Sequence, residues 1–419
     1  LSRPVVHIIG AGLAGLSAAV ILASQGVRVN LIEGAAQAGG RCRSYVDPVL
    51  GMTIDNGNHL VLSGNHATHA YLRAIGAEDR LAGPDQALFA FHDVRDGGRW
   101  TIRPNPGPLA WWVLDPGRRT PGSTAWDHLA LLALLGPQGG RRVDEAIRCQ
   151  GPLWERLLHP FLLAVLNTDP KSGSAAMAGA VIRETLARGG RAYRPRIAEP
   201  SLSAAFIDPA LTWLEEHGAT LRLGRRVRGL DLGEDRAHGL LLADSRQEVA
   251  AGDAVILATP PWIARDLIPG LLVPDRFQAI VNAHFRLAAP AGTRPMVGVI
   301  GGTAEWIFAF ADRISVTVSG AEALVDTDRE ALARTFWADI VAVHGLDGPM
   351  PAWQIVKERR ATFQATPDQQ AKRPGAATRW RNLILAGDWT DTGLPATIEG
   401  AIRSGVRAAA LAVKTLRQV

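Results

Sequence analysis

The sequence predicts an α/β fold: a Rossmann-like dinucleotide-binding domain, split along the chain, with inserted helical and mixed-sheet regions. Three observations predict it. Residues 5–15 read Val-Val-His-Ile-Ile-Gly-Ala-Gly-Leu-Ala-Gly, an apolar strand running into G-x-G-x-x-G. A second apolar run, residues 27–32, ends on the acid Glu33. Far downstream, residues 383–388 read Leu-Ile-Leu-Ala-Gly-Asp, another buried strand closing on a glycine and an acid.

The first strand covers residues 5–9. Gly10 permits the tight turn, Gly12 lets backbone approach a pyrophosphate, and Gly15 lets helix and strand pack closely. Gly10, Ala11, Gly12, Leu13, Ala14 and Gly15 are therefore the candidate phosphate loop. The helix is expected over residues 13–25, with Gly26 as its stop. Its first amides would face the pyrophosphate. Glu33, after the second strand, would accept hydrogen bonds from an unphosphorylated adenosine ribose. A glycine-rich turn without a ligand is the plainer alternative. The order of strand, helix, second strand and acid argues against it.

Gly34 opens a second loop that leads to Gly39-Gly40-Arg41. A Gly-Gly pair can lie against a ligand with no Cβ in the way, and Arg41 can pair with a phosphate. A nicotinamide site does not need this loop. A larger cofactor held along its whole length does, and Asp388 is placed to hold a ribityl hydroxyl, so FAD is the expected cofactor. Residues 394–405 lead into a terminal helix whose small residues Gly400, Ala401, Ser404 and Gly405 let it lie close to other backbone. Its N-terminus would offer positive potential to a reduced, anionic flavin.

These pieces together resemble the flavin-containing amine oxidase and phytoene desaturase superfamily. The matching motifs are G-x-G-x-x-G, Glu33, Gly39-Gly40-Arg41, residues 254–260 (Ala-Val-Ile-Leu-Ala-Thr-Pro), Gly387-Asp388, Glu399-Gly400-Ala401 and Ser404-Gly405. The resemblance spans the chain and implies an FAD-binding domain of the GR2 flavoprotein type. It also implies cofactor contacts from Gly34, Gly57, Asn58, His59, Val227, Thr259, Thr397 and Ile398, with Val227 meeting the adenine through its backbone. Departures narrow the chemistry. Thr397 stands where amine oxidases often carry a cage tyrosine, and residues 280–287 lack their flavin-facing lysine. No cysteine follows Cys149 to tether a flavin. The FAD is thus expected to be non-covalent, and an amine substrate is disfavoured.

Residues 53–62 carry Asp55-Asn56-Gly57-x-His59, which, with the Leu-Pro-Ala-Thr-Ile-Glu-Gly-Ala ending, is similar to the hydroxysqualene dehydroxylase family. That resemblance implies reductive dehydroxylation. An acid protonates an allylic hydroxyl, water leaves, and hydride from N5 of reduced FAD quenches the cation to give squalene, in hopanoid or related triterpenoid biosynthesis. Histidine titrates near neutrality, so His59, assisted by Asp55, is the candidate proton donor or the group that orients the substrate oxygen. The plainer reading leaves His59 hydrogen-bonded to flavin or backbone, and Asp55 in a turn. His284 could line the pocket or simply sit in a strand. His66 and His69 lack a third ligand, and no metal site is expected. Trp389 could pack by the flavin or in the core.

The nearest rival is a carotenoid- or phytoene-type FAD desaturase, in which the flavin runs the opposite way. An amine- or protoporphyrinogen-type oxidase comes next. The non-enzyme rival is a flavin- and lipid-binding escort. A large apolar isoprenoid substrate is expected, with prenyl-synthase enzymes as plausible neighbours.

The bulk numbers agree with an ordinary globular enzyme. The 419 residues are 47% hydrophobic and 20% charged, long enough for two or three domains. Net charge is +5, from 45 basic against 40 acidic residues, too diffuse to argue for nucleic acid. Cys42 and Cys149 make no disulfide framework and suit a reducing compartment. The first strand lies close to the N-terminus, so no secretory leader is expected, and no apolar run is long enough for a transmembrane helix. A cytoplasmic protein is expected, able to meet the inner face of the cytoplasmic membrane.

The nucleotide domain would be assembled from residues 1–75, 205–272 and 375–419. A mostly helical region, 76–204, and an α+β substrate domain, 273–374, would be inserted into it. In the first insertion, residues 129–135 and 153–166 read as apolar helices. In the second, 297–300, 306–310 and 314–318 read as strands, and 329–343 as an amphipathic helix. Residues 221–230 read as one strand. Trp100, Trp111, Trp112 and Trp126 stand near Arg118, Arg119 and an apolar stretch, a pattern that suits a membrane interface. It equally suits a helical subdomain that buries these tryptophans, and the two can hold together.

Overall fold

The computed structural model describes residues 4–417. The outermost ends of the expected nucleotide domain, residues 1–3 and 418–419, lie outside the described residues. Five parallel strands form one sheet, in the order Thr220–Arg222, Arg28–Ile32, Val5–Ile9, Ala254–Leu257, Leu383–Leu385. Both faces are covered, which is why these strands read as continuous apolar runs. Val6, Ile8, Val29, Leu31, Ala254 and Ile256 face the helices Leu13–Ser24 and Ile398–Leu416. Ile9, Ile32, Val255 and Leu257 face the opposite layer, with Val227 and Leu240 of an antiparallel sheet.

The two helices touch through backbone. A Cβ on Gly405 would stand 2.2 Å from the Ala14 carbonyl oxygen and 2.1 Å from Ser17 Oγ. The small-residue pattern of the terminal helix therefore marks a true close approach.

Residues 221–230 are not one strand. Thr220–Arg222 forms the edge of the parallel sheet, and Val227–Leu232 starts an antiparallel sheet with Ala237–Leu242 and Arg246–Glu248. The break falls at Gly224, with φ +70°. Its amide donates to the Ala35 carbonyl, and the Arg225 amide donates to the Glu33 carbonyl. The turn is thereby tied to the loop after the second strand.

A seven-stranded sheet runs Trp353–Phe363, Phe277–Phe285, Ile314–Val318, Trp306–Ala309, Met296–Ile300, Phe89–Asp93, Arg99–Ile102. Its last two strands come from within the stretch 76–204, so that stretch is not a separate helical region. Phe89–Asp93 alternates aromatic and small residues and adds in parallel to Met296–Ile300. Helix Arg329–His344 covers one face, where Leu332, Phe336 and Ile340 meet Val281, Phe285, Ile307 and Val316. The other face carries Phe91, Met296, Trp306 and Phe308, packed with Trp112 and Ile197.

Of the two apolar helices expected in 76–204, one forms as a π-helical turn, Trp154–Leu158, continuing into the α-helix His159–Leu166. The other is a run of 3₁₀ turns, Asp127–Leu134, with Leu129 and Leu132 exposed. Leu134 is buried, so only part of this apolar stretch meets the core.

Candidate cofactor and substrate site

The phosphate loop is built as its glycines require. Gly10 has φ +107°, and a Cβ there would meet the Ala258 carbonyl oxygen at 2.6 Å. A Cβ on Gly15 would stand 1.9 Å from the Gly10 carbonyl oxygen. Gly12 differs: a Cβ there has nothing within 4 Å, so this glycine keeps space open rather than letting protein pack. Gly12 is also the cap of helix Leu13–Ser24, whose first turn carries no acid to neutralise its positive end. Ala11, Leu13 and Ala14 are buried behind it.

The second loop lies directly on the first. The Gly39 amide donates to the Ala11 carbonyl at 2.8 Å, and Gly12 and Gly39 form a parallel bridge. Glu33 joins the two. Its Oε2 accepts from the Ala11 amide and its Oε1 from the Ala35 amide, each at 2.8 Å. Each carboxylate oxygen keeps a second lone pair for a ribose hydroxyl. Gly34 lies under Arg226, whose Nε would be 3.3 Å from a Cβ placed there.

Arg41 and Asp388, both expected to hold the cofactor, hold each other. Arg41 Nη2 donates to Asp388 Oδ1 at 2.7 Å, and Nη1 donates to the Ala361 carbonyl at 2.6 Å. Gly387 precedes the acid at φ +146°, with its amide donating to Ser404 Oγ at 2.8 Å. Thr397 caps the terminal helix by accepting from the Gly400 amide, and Ile398 is that helix's first residue. The positive end of this helix is not bare, because Glu399 sits in its first turn. That carboxylate accepts from the amides of Ala67 and Thr68, capping helix His66–Ala74, and pairs with Arg403.

The segment 55–59 separates into two functions. Asp55 is buried, and its carboxylate is committed. Oδ1 accepts from Ser44 Oγ at 2.6 Å and from the Leu202 amide at 2.9 Å, and Oδ2 meets Arg313 Nη2 at 3.2 Å. Burial pushes this carboxyl up, while Ser44, the Leu202 amide and Arg313 draw it down. No hydrogen bond joins it to His59 among the described residues. Asp55 therefore anchors the segment and does not assist His59 in moving a proton. His59 itself is half-buried. Burial, and then the Arg41 charge, push its imidazole down to about 4. At neutral pH it is an uncharged ring, which does not suit a resting general acid. Gly57 abuts Asn282, and Asn58 Nδ2 donates to Thr317 Oγ1 at 3.0 Å.

His284 is fully buried under this segment. Its Nε2 lies 3.0 Å from the Asp55 carbonyl, which can only accept, so Nε2 carries the proton and Nδ1 accepts from Ser315 Oγ at 2.8 Å. Burial and the Arg313 charge hold it down to about 3. Its place is structural. His66 and His69 face Arg188 and the Leu62 carbonyl respectively. Trp389 is buried, and its Nε1 donates to the Thr259 carbonyl at 2.9 Å. Val227 is buried at the start of its strand.

Sequence reasoning missed Arg313, Thr317, Asn282 and Arg373. Arg373 is buried, donates to the carbonyls of Asp388 and Thr390, and lies over the Phe363 ring. Each is a polar residue inside an apolar strand or beside a loop, and only the tertiary pairing shows what it serves.

The site fits an FAD on two independent observations. Open space stands over Gly12, between the two glycine loops. Two buried polar atoms in the segments that border the loops lack partners: Thr259 Oγ1, whose amide lies 3.3 Å from a Cβ placed on Gly10, and Asn58 Oδ1, two residues past the Asn56 that reaches the Arg41 carbonyl. The site lies outside the carboxyl ends of the parallel strands, where open α/β sheets take their ligands.

Comparisons with known proteins agree with this geometry. Residues 13–413 match the family model described as flavin containing amine oxidoreductase. A hydroxysqualene dehydroxylase of Sinorhizobium fredii is 51% identical over 97% of this chain and 98% of that protein. One of Zymomonas mobilis is 49% identical over 98% of this chain and 99% of that protein. A 15-cis-phytoene desaturase of Glycine max is 22% identical over 96% of this chain and 78% of that protein. Among solved structures, cyclohexylamine oxidase from Brevibacterium oxydans superposes with a TM-score of 0.71 at 16% identity, covering 99% of both chains. That likeness speaks for the fold alone.

Proposed function

The chain belongs to the flavin containing amine oxidoreductase family, and from that premise we propose that it removes the hydroxyl of hydroxysqualene reductively to give squalene. It is an FAD-dependent oxidoreductase. The observation that carries the substrate assignment is the near-full-length likeness to hydroxysqualene dehydroxylases, set against a far weaker likeness to phytoene desaturases.

The amides of Gly12 and Leu13 would hold the pyrophosphate and Glu33 the ribose. Arg41 and Asp388 fix the loops on either side. When bound and reduced, FAD would supply the hydride that replaces the departing oxygen, which takes up a proton drawn ultimately from solvent and leaves as water. An apolar pocket would hold the isoprenoid chain and exclude the water that would otherwise recapture an allylic cation. His59, uncharged at neutral pH, orients the substrate hydroxyl by hydrogen bonding.

The same region supports docking to a membrane surface. No helix among the described residues is long and apolar enough to cross a membrane. Trp112 is 6% exposed and packs into the aromatic face, while Trp126 is 80% exposed, and Leu109, Trp111, Leu114, Leu129 and Leu132 are also exposed. Arg118 lies 4.6 Å from the Trp111 ring. Trp beside Arg over exposed leucines suits the lipid interface. A prenyl-synthase that makes the alcohol would work at the same surface.

Assaying the purified protein with hydroxysqualene and with phytoene, under reducing and oxidising conditions, separates the two readings. Squalene from the alcohol under reducing conditions is expected. Oxidation of phytoene, with the alcohol untouched, overturns the assignment.

A further inference from the structure

The junction between the parallel sheet and the seven-stranded sheet contains an acceptor with nothing to accept. Asn58 Oδ1 is shielded from solvent and has no hydrogen-bond partner. Its orientation is fixed. Asn58 Nδ2 donates to Thr317 Oγ1 at 3.0 Å and lies 3.4 Å from the Val316 carbonyl oxygen. A carbonyl can only accept, so the atom facing it is the amide nitrogen and the atom turned away is oxygen. Thr317 Oγ1 passes its own proton to Asn282 Oδ1 at 2.7 Å, and Asn282 Nδ2 donates to the Asn56 carbonyl at 3.3 Å. The relay begins and ends on main-chain carbonyls, and every proton in it has one direction. Gly57 allows the close fit, since a Cβ there would stand 3.2 Å from Asn282 Nδ2.

A buried carbonyl oxygen left unpaired is a standing cost to the folded protein. Here five residues spend their hydrogen bonds on keeping it pointed one way. Through Asn56 the relay touches the cofactor site. Asn56 Nδ2 reaches the Arg41 carbonyl at 3.4 Å, and Arg41 pairs with Asp388. We propose that Asn58 Oδ1 is a preset acceptor for a hydrogen-bond donor carried by a bound ligand. That donor is the N–H that a reduced isoalloxazine has and an oxidised one lacks, or the O–H of the allylic alcohol. Either makes Asn58 a positioning residue and Thr317 the part that locks it. A fixed acceptor favours the reduced flavin over the oxidised, or the alcohol over its hydrocarbon product. Both preferences fall on the reactants of a reductive dehydroxylation, so they load the site with reduced flavin and alcohol rather than drive the chemical step. Thr259 Oγ1, another buried atom without a partner, can donate as well as accept, and carries no such bias.

The inference rests on the functional reading above. The test uses FAD-loaded wild type, Asn58→Leu and Thr317→Val, with flavin stoichiometry checked first. If the donor is the flavin N–H, Asn58→Leu weakens reduced relative to oxidised flavin about tenfold. The midpoint potential then falls by about 30 mV for two electrons, with KM unchanged. If the donor is the substrate O–H, KM for hydroxysqualene rises about tenfold and the potential stays put. Thr317→Val leaves the amide in place but unlocked, and gives a smaller shift in the same observable. It carries the test should Asn58→Leu not fold. Variants that keep their flavin and match wild type in both potential and KM overturn the inference, whether or not the enzyme turns over. A wild type that binds flavin yet leaves hydroxysqualene unchanged overturns the functional reading instead, and the potential arm still reads the inference.

Discussion

Arg41 and Asp388 form an ion pair at 2.7 Å across 347 positions of sequence. One belongs to the loop after the second strand, the other to the end of the last strand. The pair closes the nucleotide domain around the mouth of its parallel sheet. Asp388→Ala leaves the guanidinium with only the Ala361 carbonyl, and Arg41→Ala leaves a buried carboxylate unpaired. The loss is on the order of 1–3 kcal/mol of loop positioning. Both variants are expected to bind FAD at least tenfold more weakly. Flavin released on dialysis, read by absorbance, checks this.

Glycines at the site divide by what occupies the space beside them. Gly12→Ala meets nothing within 4 Å, so the protein is expected to fold with a melting temperature close to wild type and to lose FAD. Gly405→Ala meets the Ala14 carbonyl at 2.2 Å. It is expected to destabilise the fold by about 1–3 kcal/mol or more through overpacking of the two helices. Thermal melts beside flavin content separate the two outcomes.

His59 gives a kinetic prediction. A general acid contributes about 10²–10⁴ in rate, whereas an orienting hydrogen bond is partly replaced by an amide. His59→Gln is therefore expected to stay within about tenfold of wild-type turnover with FAD intact, and His59→Ala to fall further. The wild-type rate should show no inflection near 6.5, because this ring is held down to about 4. Steady-state rates across pH 5–8 read both.

His284 gives a stability prediction. Its folded value, about 3, lies below the ordinary 6.5. The unfolded chain therefore binds the proton first, and stability rises with pH across that interval. The contribution is complete above 6.5 and is lost as pH falls toward 3. By about pH 4.5 the loss is roughly 2–3 kcal/mol. His284→Asn should flatten this part of the acid limb. Urea midpoints at neutral and acid pH measure it.

Trp111 and Trp126 test the membrane surface. Changing both to serine removes two exposed indoles and is expected to weaken sedimentation with anionic vesicles several-fold. Turnover of substrate in detergent should be unchanged.

The nucleotide half was legible because its chemistry is local. G-x-G-x-x-G, Glu33, Gly39-Gly40-Arg41 and Gly387-Asp388 each signal through residues adjacent in sequence, and each stands at the mouth of the parallel sheet. The split of residues 221–230 was not legible. One apolar-basic run supplies two strands, and only the Gly224 turn tied to Ala35 and Glu33 divides them. Residues 89–102 were lost to the helical region because their partner strand, Met296–Ile300, lies some two hundred residues away. The Asp55 assignment failed for a related reason. A carboxylate near a histidine in sequence reads as a dyad, and only the fold shows Ser44, Leu202 and Arg313 saturating it. Of the tryptophans, Trp112 is buried, as the packing expectation has it, and Trp126 is exposed.

The most direct measurement is an anaerobic single turnover. The purified flavoprotein is reduced, mixed with hydroxysqualene, and followed by flavin absorbance and by mass. Reoxidation of one flavin for each squalene formed is expected. A protein that takes up no flavin, or a reduced flavin that persists while the alcohol remains intact, would contradict it.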